Sequence, residues 1–128
     1  MLTLDKIKHA QSVLKEALYE TDIKRTGNLT DRCELYVKAE NLQKTGSFKI
    51  RGAYYKISQL SPEEKARGVI ACSAGNHAQG VALAAQKNGI RALICLPDGA
   101  PISKVEATRS YGADICVLHG VYDDAYRK

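Results

Sequence analysis

The chain has 128 residues, 45% of them hydrophobic and 26% charged, with a formal net charge of +5, which suits one domain of ordinary size with a real core. Basic residues are scattered among acidic ones and cluster no further than pairs such as Lys24 with Arg25, and the 6% aromatic content is almost all tyrosine. With neither a basic stripe nor a stacking platform, no nucleic-acid partner is expected.

The segment after Met1 is charged (Asp5, Lys6, Lys8) and no apolar run approaches bilayer length, so a cytoplasmic protein with no membrane partner is expected. Leu4, Ile7, Ala10, Leu14, Ala17 and Leu18 recur at helical spacing behind Thr3 as N-cap. An irregular polar stretch is expected over 21–32, then a short strand at Leu35, Tyr36 and Val37. In KTGSFKIRGA (Lys44 to Ala53), Gly46 permits a turn, Ser47 can cap, and Ile50, Ala53, Tyr54, Ile57 and Leu60 form one helical face. Ser61, Pro62 and Glu64 predict a capping-box start to a short helix. After Gly68 come three apolar runs, Val69 to Cys72, Ala92 to Leu96 and Ile115 to Leu118, spaced about 22 residues apart as strands alternating with single helices are. The first intervening helix has Ala78, Val81, Ala82 and Ala85 inward and ends at Asn88 and Gly89; the second opens at Pro101 and stops near Gly112; a last helix starts near Tyr122. The pattern predicts an α/β fold: a three-layer parallel sheet with helices on both faces.

Three of the four cysteines, Cys72, Cys95 and Cys116, lie inside apolar runs and are read as buried, reduced thiols; Cys33 does not. His9, His77 and His119 are too far apart for a local metal site, and no metal is expected.

Lys49 stands in the first turn of its predicted helix, beside exposed amides. A lysine amine whose pKa is lowered by its surroundings attacks aldehydes, and the resulting imine is the linkage that holds pyridoxal phosphate. Directly after the first apolar run comes SAGNHAQG (Ser73 to Gly80), at the strand-to-helix turn where open parallel sheets bind ligands. Gly75 lets the backbone approach a ligand, and the amides of Gly75, Asn76 and His77 form an anion nest suited to a carboxylate. GNHAQG lacks the following lysine and hydroxyl residue of a phosphate-binding loop, and GxGxxG is absent.

KTGSFKIRGA and SAGNHAQG, with GAPISKVEATRSYGA further on, resemble the fold-type-II pyridoxal phosphate enzymes, and among them the threonine dehydratase and serine racemase branch. His77 after the Gly-Asn pair resembles the dehydratases, where cysteine and threonine synthases have threonine. The resemblance implies that Lys49 carries the cofactor and then removes the substrate α-proton. It also implies that Phe48 walls the cofactor ring, that Asn76 bonds its phenolic oxygen, and that Ser73, Ala74, Gly75, Asn76 and His77 cradle the substrate carboxylate. His77 contributes its amide rather than its ring. Where serine racemases resemble one another in a second serine, this chain has Ala74, so the implied reaction is dehydration and deamination of L-threonine or L-serine to 2-oxobutyrate or pyruvate and ammonia. Residues 1–52 are then part of a larger cofactor domain and 53–128 a small α/β domain truncated on its C-terminal side, in a parent homodimer or homotetramer.

No two of the ten glycines are adjacent, so the family's glycine-rich cofactor-phosphate loop is not in this chain. A fragment, inactive by itself, is expected; the alternatives are a serine racemase-type enzyme and a non-catalytic small α/β domain without a complete cofactor site.

Overall fold

The computed structural model describes residues 1–27, 30–120 and 122–127. Thr3 caps α1 (Leu4–Leu14), its hydroxyl accepting the Lys6 amide. The helix ends four residues short of the expected face because the amides of Ala17 and Leu18 both donate to the Leu14 carbonyl, closing a turn. That turn carries Ala17 and Leu18 into the core and leaves Leu4 and Ile7 exposed.

The stretch 21–32, expected to be irregular, contains a strand. β1 (Ile23–Thr26) pairs antiparallel with β2 (Leu35–Lys38), Ile23 opposite Lys38 and Thr26 opposite Leu35. Three of its four residues are exposed, so no apolar alternation marks it. The ladder, an Arg25–Glu34 ion pair of 2.8 Å and a Thr26 hydroxyl bond to the Leu35 carbonyl hold it instead. Asn28 and Leu29, which the same expectation covered, lie outside the described residues.

Two 3-10 turns, Glu40–Leu42 and Lys44–Gly46, lead to α2 (Lys49–Ser58). Buried Gln43 ties them to the N-terminal segment: its Nε2 donates to the Tyr19 carbonyl (2.8 Å) and its Oε1 accepts the Tyr19 amide (3.0 Å). Arg51 on α2 adds a two-pronged bond to Glu40, Nε and Nη2 each 2.8 Å from a carboxylate oxygen, and Thr21 donates to the same carboxylate. Ile50, Ala53 and Ile57 are buried along α2, with Tyr54 and Leu60 half-buried beside them. Tyr55 faces the other way, its hydroxyl 3.0 Å from His9 Nδ1.

The capping box forms as predicted: Ser61 Oγ accepts the Glu64 amide and Glu64 Oε2 accepts the Ser61 amide at the start of α3 (Pro62–Arg67). Then β3 (Val69–Cys72), α4 (Asn76–Lys87), β4 (Ala92–Pro97), α5 (Ile102–Ser110), β5 (Asp114–Leu118) and α6 (Tyr122–Arg127) follow. The strands form a parallel sheet in the order β3-β4-β5. α4 and α5 pack side by side, and α6 lies against β4 and β3, so the chain is an α/β layered fold with helices on both faces. One core cluster runs from Ile50 and Ala53 through α4 to Ile94 and Leu96, and α2 passes unbroken through residues 52 and 53.

Two expectations are corrected. α4 has no single inner face: every residue from Ala78 to Ala85 is buried, because a slender alanine-rich helix is wedged between α2, the sheet and α5. Helices lie over both sheet faces as expected, and among the described residues α6 covers part of the second. Cys72, Cys95 and Cys116 are accordingly half-buried rather than buried, Cys33 is exposed, and Ile70 is 74% exposed.

Candidate active site

The candidate site lies where the start of α2 packs against α4 at Gly80. Thr45 (φ 68°) and Gly46 (φ 66°) reverse the chain, and buried Ser47 then accepts the Lys49 amide on its hydroxyl (3.4 Å). This leaves Phe48 and Lys49 projecting together from the first turn of α2, both exposed, with Lys49 Nζ 5.0 Å above the Phe48 ring. An amine over an aromatic face is a weak electrostatic attraction, and it keeps the two side chains on one side of the helix start.

Gly80 sets how closely α4 approaches. A Cβ there would lie 3.1 Å from the Lys49 carbonyl carbon and from the Ile50 nitrogen. Glycine in a helix interior costs roughly 0.5–1 kcal/mol relative to alanine, and here the missing side chain lets the α2 backbone rest directly on α4. Asn76 lies one turn earlier on the same face, about 6 Å along the axis, so it stands one helical turn from the point where Lys49 meets α4.

Between β3 and α4 the chain turns through Ser73, Ala74 and Gly75. Ser73 anchors the turn at both ends: its amide donates to the Cys95 carbonyl (3.0 Å) and its Oγ accepts the Gly75 amide (3.2 Å). The Gly75 amide, expected to face a carboxylate, is thus engaged inside the turn. The amides left at the helix start are those of Asn76, His77 and buried Ala78, which have no intrahelical partner and no capping side chain. A Cβ at Gly75 would meet nothing within 4 Å, so space lies open over the turn. Ala74 packs half-buried against the core. His77 lines a groove of about 310 Å³ between α2 and β3, with Ile57, Ile70 and Val81.

Two residues missed as site determinants act here. One is Gly80, whose only sequence signal was a glycine inside an otherwise helical run. The other is Lys104 on α5, whose Nζ donates to Asn76 Oδ1 at 3.2 Å. An ammonium has no acceptor to offer, so this contact fixes the Asn76 carboxamide with its oxygen toward α5 and its NH2 free to turn outward. Nothing local in GAPISKVEATRSYGA reveals a partner 28 residues away.

The electrostatics around α2 have identifiable causes. The Arg51 guanidinium holds the Glu40 carboxyl below the usual carboxylate range, and Glu40 in turn raises Arg51. Burial, helped by the nearby Lys87 ammonium, pushes the Lys44 amine down; Lys44 Nζ donates to the Ala17 carbonyl (2.8 Å) and lies 4.8 Å over the Tyr19 ring. Past the C-terminal ends of β4 and β5, exposed His119 bonds Asp98 at 2.5 Å, and this bond lowers the Asp98 carboxyl.

Known proteins match this chain over nearly its whole length. The family described as pyridoxal-phosphate dependent enzymes matches residues 14–128, and the chain belongs to that family. An L-threonine ammonia-lyase of Thermotoga maritima is 54% identical over 128 residues, covering 98% of this chain and 32% of that protein. A catabolic L-threonine dehydratase of Escherichia coli is 49% identical over 121 residues, covering 93% of this chain and 36% of that one. Among solved structures, maize serine racemase superposes with a TM-score of 0.89 at 36% identity, over 97% of this chain and 38% of its own. Threonine deaminase isoform 2 of Solanum lycopersicum gives 0.82 at 37% identity, over 97% and 38%. The chain therefore spans about a third of the length of these relatives. Among the described residues no helix is long and apolar enough to cross a membrane.

Proposed function

We propose that the protein containing this chain is a threonine ammonia-lyase that uses pyridoxal phosphate to dehydrate and deaminate L-threonine, and L-serine, to 2-oxobutyrate or pyruvate and ammonia. The observation that supports the reading is the close contact of Gly80 with the Lys49 and Ile50 backbone one helical turn from Asn76, with uncapped helix-start amides and open space over Gly75. That donor set fits the cofactor: a primary amine for its carbonyl carbon, the Phe48 ring for its flat face, and the Asn76 NH2 for a ring oxygen. When bound, pyridoxal phosphate supplies the electron sink that carries the charge left behind when a proton leaves the substrate α-carbon.

The chain's own residues do the rest. The Asn76 and His77 amides, on a turn held by Ser73, hold the substrate carboxylate still, which fixes the α-carbon relative to Lys49. Lys49 Nζ takes the α-proton. The substrate then loses its Cβ hydroxyl as water, and the unsaturated amine released takes up a proton at Cβ and is hydrolysed by a water molecule, which supplies the 2-oxo oxygen as the nitrogen leaves as ammonia. Ala74 presents only a methyl group, so no proton returns from the opposite side, and elimination is favoured over racemisation. Identity of 54% to an ammonia-lyase against 36% to a serine racemase supports the same choice.

In this reading residues 1–52 belong to a larger cofactor domain and 53–128 to a smaller one, in a cytoplasmic dimer or tetramer. The test is the full-length protein with pyridoxal phosphate, reduced with borohydride and digested. The cofactor should be found on the Lys49 peptide, and Lys49→Ala should abolish both the visible cofactor absorbance and 2-oxobutyrate formation. Threonine turnover retained in Lys49→Ala would sink the assignment.

A further inference from the structure

β3, β4 and β5 carry one cysteine each, and the register sets Cys72 opposite Cys95 and Cys95 opposite Cys116. In-register residues on adjacent strands point to the same face, with strands about 4.8 Å apart. The three thiols therefore form a row across the sheet, half-buried on the face where α6 lies. None is in a disulfide, and Cys33 stands apart, exposed before β2. The thiols sense one another: burial, then the charge and hydrogen bond of Cys116, then the charge of Cys72, push the Cys95 thiol up.

The row does not suit one shared metal ion. Sulfur ligands lie roughly 2.3 Å from zinc, whereas the outer two cysteines are two strand spacings apart, about 9.6 Å. Among the described residues no group of three or more His, Cys, Asp or Glu is placed to hold a metal. Pairs are different, because a disulfide needs Cα atoms roughly 4.4–6.8 Å apart, and neighbouring strands satisfy that.

We propose that Cys72, Cys95 and Cys116 form a peroxide-modifiable dithiol site in which Cys95 makes a disulfide with one neighbour or the other. A flanking thiolate attacks one peroxide oxygen: an S–O bond forms, the O–O bond breaks, and hydroxide leaves to take up the thiol proton as water. Cys95 Sγ then attacks that sulfur: the S–S bond forms, the S–O bond breaks, and the second hydroxide leaves with the Cys95 proton as water. Two thiols are oxidised and one peroxide is reduced. Because Cys95 belongs to both pairs, only one bond forms per chain, and one thiol of the row always remains.

The register dictates the test. The full-length protein is treated with a few equivalents of hydrogen peroxide, its thiols are titrated after denaturation, and its disulfides are mapped on unreduced peptides. The untreated and treated protein should differ by two thiols, with Cys95 joined to Cys72 or Cys116. Cys72→Ser and Cys116→Ser should each still lose two; Cys95→Ser, Cys95→Ala and the double Cys72→Ser/Cys116→Ser variant should form no bond within the row. A bond to Cys33, an undiminished loss in the Cys95 variants, or no disulfide in the parent overturns the proposal. Mapping the parent protein needs no variant to fold.

Discussion

Replacing glycine by alanine in each of the two facing helices gives opposite outcomes if the close approach at Gly80 is real. Gly52 lies inside α2, and a Cβ there meets nothing within 4 Å. Gly52→Ala should therefore gain the ordinary helix-interior increment of about 0.5–1 kcal/mol. Gly80→Ala gains the same increment but places its methyl 3.1 Å from the Ile50 nitrogen and the Lys49 carbonyl carbon and 3.3 Å from Ile50 Cα. These are backbone atoms beside a side chain that is 0% exposed, so they cannot swing away as a flexible tip would. Overpacking of this kind costs roughly 1–3 kcal/mol, leaving Gly80→Ala about 0–2.5 kcal/mol less stable than its parent. Urea unfolding followed by circular dichroism reads both, as midpoint shifts of opposite sign at unchanged slope. If Gly80→Ala is stabilised as much as Gly52→Ala, the two helices do not touch there and the placement of Lys49 against Asn76 loses its support.

Glu40 gives a pH signature. Its carboxyl is held below its ordinary 4.5 by Arg51, so the unfolded chain binds that proton more readily. The stabilisation is complete above the unfolded value and is lost as pH falls through the folded one. Glu40→Gln should cost about 1–3 kcal/mol at pH 7, with the gap to the parent closing below pH 4.5; an equal gap at pH 3 and pH 7 rules the ion pair out as the cause. Ala74→Ser in the full-length enzyme should gain measurable racemisation of its substrate, detected by chiral chromatography, and no gain over the parent refutes the role given to that position. Lys104→Met should leave stability within about 0.5 kcal/mol, since the contact is solvent-accessible, yet weaken pyridoxal phosphate binding severalfold; unchanged cofactor affinity means Asn76 needs no orienting partner. The isolated 128-residue chain should form no 2-oxobutyrate from threonine, and robust turnover by it overturns the view that the remainder of the enzyme is essential.

What could be read from the residues was local. Thr3, the Ser61–Glu64 pair and the apolar runs of β3, β4 and β5 each signal their element within a few residues, and each formed where expected. β1 escaped because a two-stranded ribbon with solvent on its side chains leaves no apolar period to detect. α1 was overrun because Ala17 and Leu18 keep helical spacing through a turn that only hydrogen bonds reveal. The same division holds at the site. Lys49 and Asn76 are motif residues, visible in one dimension. The Gly80 contact, the Lys104 bond and the thiol row all depend on which helix crosses which, and on strand register, neither of which a single sequence encodes at the positions concerned.

Eight consecutive buried residues in α4, from Ala78 to Ala85, restrict how this protein can change. A helix with one exposed flank can accept larger residues there and carry new surface chemistry; this one has no flank on which a side chain can grow without displacing a neighbour. Under the proposed function, a change of substrate therefore runs through the turn at Ser73 and Ala74, or through segments that face it. The helix that presents Asn76 is a fixed reference around which such variation can occur.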